Sequence, residues 1–243
     1  MAEPEQNREE APPGQAHWRQ LGIVDPMDLV TPVTIIGAGG IGSPVAVQLG
    51  KMGVRDITVY DQDTVELHNY TNQSYRHKDI KRSKVEALEE IVFEASGVRI
   101  TPRNEWYVNQ KLSGIVIAAA DKMSVRKAIW DQCKFQPRVK LVIDGRMGGQ
   151  FGYIWAVNPV DPGDIKLYGN PTVLFPDSEA DPTPCTERAI IYNVDIMAGQ
   201  ISRMVGLYAN NLKAKEISER REIPYKVEVD SCNFTVNPLY RKK

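Results

Sequence analysis

Residues 33–53 read VTIIGAGGIGSPVAVQLGKMG, a short apolar run, a glycine turn and a stretch of small residues at helical spacing. Gly37, Gly39 and Gly42 fit the pattern G-x-G-x-x-G. The first permits a tight turn, the second lets the main chain approach phosphates, and the third lets helix and strand pack closely. Unpaired N–H groups and the dipole at the helix N-terminus then favour negative charge. Glycine triples also close ordinary strand-to-helix turns, so the context has to decide. It comes from DITVYD, residues 56–61, a second strand ending in Asp61. That carboxylate lies about 20 residues past the glycine turn, where a ribose-binding group belongs. NAD, FAD and ATP remain open at this point.

Working outward, a strand at 33–36, a helix from Ser43 to Lys51 and a strand at 57–60 make a βαβ unit, whose right-handed crossover requires parallel pairing. The run KRSKVEALEEIVFEAS follows, with Val85, Leu88, Ile91 and Val92 on one helical face. A strand near 98–103, the strand GIVIAAAD ending at Asp121, a helix from Met123 to Cys133 and the strand VKLVID continue the alternation. The predicted fold is α/β, a doubly wound, Rossmann-like, mostly parallel sheet. After Asp144 the pattern changes. GQFGYIWAVNP reads as a further strand, and residues 158–184 read as a long proline- and acid-rich loop, of a length that is usually functional or mobile. PCTERAIIYNVDIMAGQISRMVGLYANNL then has helical spacing, with small Ala198 and Gly199 suggesting close packing. IPYKVEVDSCNFTVNPLY alternates like a hairpin and predicts an antiparallel C-terminal extension, at the sheet edge or in a dimer contact.

With 42% hydrophobic residues, the 243-residue chain can bury one large core. Residues 1–16 are polar and proline-rich and are expected to be disordered, with a single domain over 17–243. A formal net charge of −1 leaves no electrostatic footprint for nucleic acid or an anionic membrane, and neither is expected as a partner. Cys133, Cys185 and Cys232 form no C-x-x-C pair, which argues against a disulfide framework and a four-cysteine zinc site. No signal peptide and no run of 18 apolar residues is found, so a cytoplasmic location is expected.

The run VYDQDTVELHNYTNQ, residues 59–73, makes the pattern specific. It resembles the signature of the ThiF/MoeB/HesA family of ubiquitin-activating-enzyme-like adenylyltransferases, in which the glycine loop is followed by a D-x-D-x-V-x-x-x-N run ending in Gln. The resemblance extends from Trp18 to Leu212 and takes in SKVEAL with Lys84, the AAD strand end with Asp121, Arg126, and the hairpin-like IDGRMGGQFGYIWAVNP. It implies bound ATP with Mg²⁺ and adenylation of a carboxylate, usually the C-terminal glycine of a ubiquitin-like protein, or of a peptide.

Carried over residue by residue, the resemblance gives Asp61 the ribose hydroxyls and lets Gly37, Gly39, Gly40 and Gly42 line the nucleotide. It places Asn69 and Lys84 on phosphates, Lys84 as a point charge on the attacked α-phosphate. Asp63, Asn72 and Gln73 join the nucleotide site, and Asp121 holds Mg²⁺. The residues taken singly allow other roles: Asp121 capping the helix at Met123, Lys84 as a solvated helix charge, Asn69 stabilising a turn.

This sequence departs from the family pattern at Asn72, which stands where a phosphate-binding arginine is expected, with Arg76 a nearby substitute. The family resemblance also implies an arginine supplied across a homodimer, for which Arg19 is the candidate. Cys185, just before a helix and near Arg188, is a candidate thioester nucleophile resembling the P-x-C-T stretch of eukaryotic ubiquitin-activating enzymes, and a buried small hydrophobe otherwise. The competing readings are an NAD(P)-dependent oxidoreductase and a family member that keeps the fold without activity.

Overall fold

The computed structural model describes residues 16–179 and 189–241. Strand β1 (Val33–Ile36) is apolar and nearly closed to solvent, as a central parallel strand covered on both faces must be. The chain turns at Gly37 into α1 (Gly42–Met52), which ends on a left-handed Gly53 whose N–H donates to the carbonyls of Leu49 and Gly50. Strand β2 (Ile57–Tyr60) then lies parallel to β1, with Val33 opposite Ile57 and Ile36 opposite Tyr60.

Helix α2 (Lys84–Ser96) leads to β3 (Thr101–Arg103), and β4 (Gly114–Ala118) is followed by α3 (Met123–Cys133) and β5 (Val139–Gly148). Strand β6 (Phe151–Val157), α4 (Pro162–Tyr168), α5 (Ile191–Lys213), β7 (Lys226–Asp230) and β8 (Thr235–Leu239) complete the described chain. The eight strands form one sheet in the order β3-β2-β1-β4-β5-β6-β7-β8. Pairing is parallel from β3 to β5 and antiparallel from β5 to β8. The doubly wound, Rossmann-like fold with an antiparallel C-terminal extension is therefore the fold of this chain. Strand β5 runs past Asp144 to Gly148 because it closes a hairpin with β6.

Two apolar layers hold the sheet. On one face Val45 and Leu49 of α1, Val85 and Leu88 of α2, and Met197 and Ile201 of α5 pack together with the strands. On the other, Ile129 and Trp130 of α3 and Tyr168 of α4 pack against Val116, Val142 and Trp155. Each such side chain contributes roughly 1.5–3 kcal/mol through removal from water.

The stretch 158–184, read from sequence as a loop, is not uniformly irregular. Asp161 accepts a hydrogen bond from the Asp164 N–H and Pro162 occupies the first turn, so an N-cap and a helix-compatible proline start α4. The phenol of Tyr168 ends this helix inside the core. Loop-forming residues were present, but the Asp-Pro pair acts here as a helix start.

Candidate functional site

The strand order reverses its direction of winding at β1, whose neighbours are β2 on one side and β4 on the other. In open α/β sheets the crevice beyond the C-terminal strand ends at such a point is the usual place for a ligand. The glycine loop leaves β1 here. Gly37 has φ of 100°, and a Cβ on it would lie 2.6 Å from the Ala119 carbonyl oxygen, so only glycine lets the loop touch the end of β4. A Cβ on Gly42 would lie 1.8 Å from the Gly37 carbonyl oxygen. Gly39, by contrast, faces open space, and Gly40 lies against the main chain of Asn72.

Asp61, at the end of β2, is 9% exposed. Its two oxygens accept the N–H groups of Ala38 at 2.7 Å and Asp63 at 2.8 Å, so the carboxylate ties the glycine loop to the segment after β2. Burial raises its pKa, opposed by the charge of Lys84 and by the two main-chain hydrogen bonds. Lys84 is 7% exposed at the start of α2. Its ammonium lies 2.9 Å from Asp63 Oδ2 and 4.0 Å from Asp61 Oδ2, a buried cation and not a solvated helix charge.

Asp121, three residues past the end of β4, is exposed. It does not cap α3. Asp177 Oδ1 does so from a distant 3-10 turn (Asp177–Glu179), accepting the N–H groups of Met123 at 2.6 Å and Ser124 at 3.2 Å. Among the described residues the Asp121 carboxylate makes no hydrogen bond, two residues past the Ala119 carbonyl that Gly37 approaches.

Other sequence-derived candidates fall differently. The Asn69 side-chain oxygen accepts the Glu66 N–H at 3.1 Å, which is the turn-stabilising role. Gln73 Oε1 is buried without a hydrogen-bond partner among the described residues. Arg76 is not a substitute for the missing arginine. Its guanidinium is committed to Asp79, Glu90 and Glu94, because the three-residue helical turn after it points the side chain along α2. Arg19 is exposed and stacks near the Trp18 ring. Its neighbours His17 and Gln20 bond the Lys51 and Met52 carbonyls at the C-terminal end of α1. Since 11 helical residues span about 16 Å, Arg19 is not brought to the glycine loop of its own chain. Cys185 and Arg188 lie outside the described residues. Burial pushes the Cys133 thiol up to about 12, which makes it inert, and Cys232 is exposed between β7 and β8.

Beside the C-terminal end of β4 and the middle of β5 sits a buried polar cluster that sequence reading missed. Asp144 is completely buried and takes hydrogen bonds from Arg126 Nη1, from Arg146 Nε at 2.7 Å and from the Tyr168 hydroxyl at 2.8 Å. Arg126 also donates to the Ala118 carbonyl at 3.2 Å, pinning the end of β4. Burial, then the charge of Arg146, lowers the Arg126 pKa to about 10, so it stays protonated at neutral pH. Two guanidiniums against one carboxylate leave net positive charge under the ligand edge, which favours an anion there. The sequence signal was the pairing of Arg126 with IDGR, but nothing local shows that they meet.

The donor set fits a nucleotide with Mg²⁺. Gly39 faces open space, Lys84 is a buried cation paired with Asp63, and Asp121 lies two residues past the Ala119 carbonyl that Gly37 approaches. Among the described residues no three acidic, histidine or cysteine side chains could hold a metal alone, and Mg²⁺ characteristically relies on one or two carboxylates plus phosphates and water. Nor is any described helix long and apolar enough to cross a membrane.

Comparison with known proteins follows this geometry. The model of the ThiF family matches residues 29–236. Adenylyltransferase and sulfurtransferase MOCS3 of Caenorhabditis briggsae is 32% identical over 198 residues, covering 76% of this chain and 46% of that protein. The chain spans between about a quarter and under half of the curated relatives it matches first. Among solved structures, PaaA superimposes with a TM-score of 0.70 at 16% identity, covering 98% of this chain and 79% of its own. Escherichia coli MccB solved with ATP gives 0.67 at 16% identity, covering 88% and 65%. At that identity the two structures speak for the fold alone.

Proposed function

The chain belongs to the ThiF family, and on that premise we propose that it is an ATP- and Mg²⁺-dependent adenylyltransferase that activates the C-terminal carboxylate of a ubiquitin-like protein or peptide. The reading includes a homodimer, with Arg19 serving the partner's site, and attack of the Cys185 thiolate on the acyl carbon of the adenylate, which forms a thioester and releases AMP. The observation that carries it is the tie between the glycine loop and the buried Asp61–Lys84 pair, at the C-terminal end of β1 and beside the strand β4 that leads to Asp121. The choice of nucleotide rests on the family membership; MccB, similar in fold, has been solved with ATP.

The chemistry is transfer of the adenylyl group to a carboxylate oxygen. A carboxylate oxygen of the substrate attacks the α-phosphorus, the bond to the bridging oxygen breaks, and pyrophosphate leaves with its electron pair. Asp61 keeps the loop and the ribose end in place. Lys84 presents a cation where negative charge grows, and a fixed charge in a dry site needs no reorganisation at that moment. Mg²⁺, held by Asp121, phosphate oxygens and water, would offset charge on the departing pyrophosphate.

Calorimetric titration tests this reading, with Mg-ATP and NADH offered separately to the wild type and to Asp121→Ala. Mg-ATP binding weakened about tenfold or more by the substitution is expected, since even partners one shell removed from a metal are worth about 10- to 100-fold. Binding of NADH alone would return the glycine loop to dehydrogenase chemistry. For the second step, an acyl adduct labile to thiols should form in the wild type and be absent from Cys185→Ala; equal adduct in both proteins removes Cys185 from the mechanism.

A further inference from the structure

The glycine loop is gripped from a side that the signature residues do not account for. Tyr75 is 4% exposed, and its hydroxyl donates to the Ala38 carbonyl at 2.7 Å. One residue earlier, the Ser74 N–H donates to Ser43 Oγ at 3.1 Å, and that hydroxyl donates to the Gly39 carbonyl at 2.8 Å. The Ala38 N–H is already held by Asp61. Ala38 is thus fixed through both its main-chain groups, and Gly39 through its carbonyl.

A trans peptide is planar, with C=O and N–H pointing to opposite sides. The carbonyl of Ala38 and the N–H of Gly39 belong to the same peptide unit. With the carbonyl turned onto Tyr75, the Gly39 N–H is turned away from it, and Gly39 faces open space. Among the described residues that N–H has no main-chain acceptor.

We propose that Tyr75 is a positioning residue for nucleotide phosphates, its buried hydroxyl setting the plane of the Ala38–Gly39 peptide so that the Gly39 N–H points at the bound anion. The segment 69–75, which has Asn72 where a phosphate-binding arginine is expected, acts on phosphates through the loop it clamps. This rests on the nucleotide reading above. It adds a residue whose effect is confined to the phosphate end.

Tyr75→Phe keeps the ring and removes the hydroxyl. Wild type and variant are titrated with Mg-ATP, AMP and adenosine, adenosine by competition against a fluorescent adenine nucleotide, with thermal melting to verify that each is folded. A lost hydrogen bond to the loop corresponds to about a tenfold change. The expected result is Mg-ATP and AMP weakened about tenfold with adenosine changed less than twofold. If the Phe variant does not fold, Ser43→Ala loosens the neighbouring peptide through the same clamp and should show the same selective loss. Equal loss for adenosine, or no loss for any ligand, overturns the positioning role while leaving the nucleotide site standing. A wild type that binds none of the three overturns the nucleotide reading itself.

Discussion

Replacing Asp144 with alanine is expected to lower the unfolding free energy by about 3–5 kcal/mol, the range for removing one partner from a buried ion pair. Two guanidiniums and a phenol converge on this one carboxylate, which has no access to solvent. Without it, Arg126 and Arg146 face each other as buried cations, and Tyr168 loses its acceptor. Domains of ordinary stability have only about 5–15 kcal/mol to lose, so the variant should be close to unfolding at physiological temperature. Urea denaturation followed by circular dichroism measures the change. Tyr168→Phe removes a single hydrogen bond and should cost about 1 kcal/mol. A loss below about 1 kcal/mol for Asp144→Ala would mean that the two arginines find other acceptors, and the cluster would not be what holds the end of β4.

Gly42→Ala should damage both fold and site. The added Cβ would meet the Gly37 carbonyl oxygen at 1.8 Å and Ile35 Cγ2 at 3.1 Å. The first of these is main chain and cannot rotate away. Helix α1 has to lift from β1, at a cost of about 3 kcal/mol or more, beyond the usual range for overpacking. The glycine loop lifts with it. Because misplacement by about 1 Å at a reacting or binding group can cost on the order of a hundredfold, Mg-ATP affinity should fall by about that factor or more. Gly39→Ala is the control. Its Cβ meets nothing within 4 Å, so stability should be unchanged and any loss of affinity assigns that open space to the nucleotide. Thermal melting and calorimetry on the two variants separate the effects. Wild-type melting and affinity in Gly42→Ala would show that the spacing of α1 and β1 is not what shapes the loop.

The parallel half of the fold was legible because its determinants are local. A β-branched run, a glycine turn and a small-residue helix declare themselves within 21 residues, 33–53, and the alternation repeats through VKLVID. The C-terminal hairpin was legible by its period of two, although its place at the sheet edge was one of two alternatives. The stretch 158–184 was misread because Pro and Asp were taken as loop residues, whereas Asp161 and Pro162 begin a helix.

The site divides in the same way. Gly37, Gly42 and Asp61 could be named from sequence by their spacing, whereas Lys84 was named only through the family resemblance. Sequence could not decide whether Asp121 caps α3, because its competitor is Asp177, 54 residues away from Met123. It could not show that Arg76 is spent on Glu90 and Glu94, that Tyr75 reaches back 37 residues to Ala38, or that Arg126, Arg146 and Tyr168 share Asp144. The order of the strands alone brings these groups together, and each commitment is a competition among partners distant in the chain. Local sequence thus determined which chemical groups the β1/β4 edge could use. Tertiary packing decided which of them are already occupied and which are left free for a ligand, because a hydrogen bond made inside the protein removes that donor or acceptor from the site.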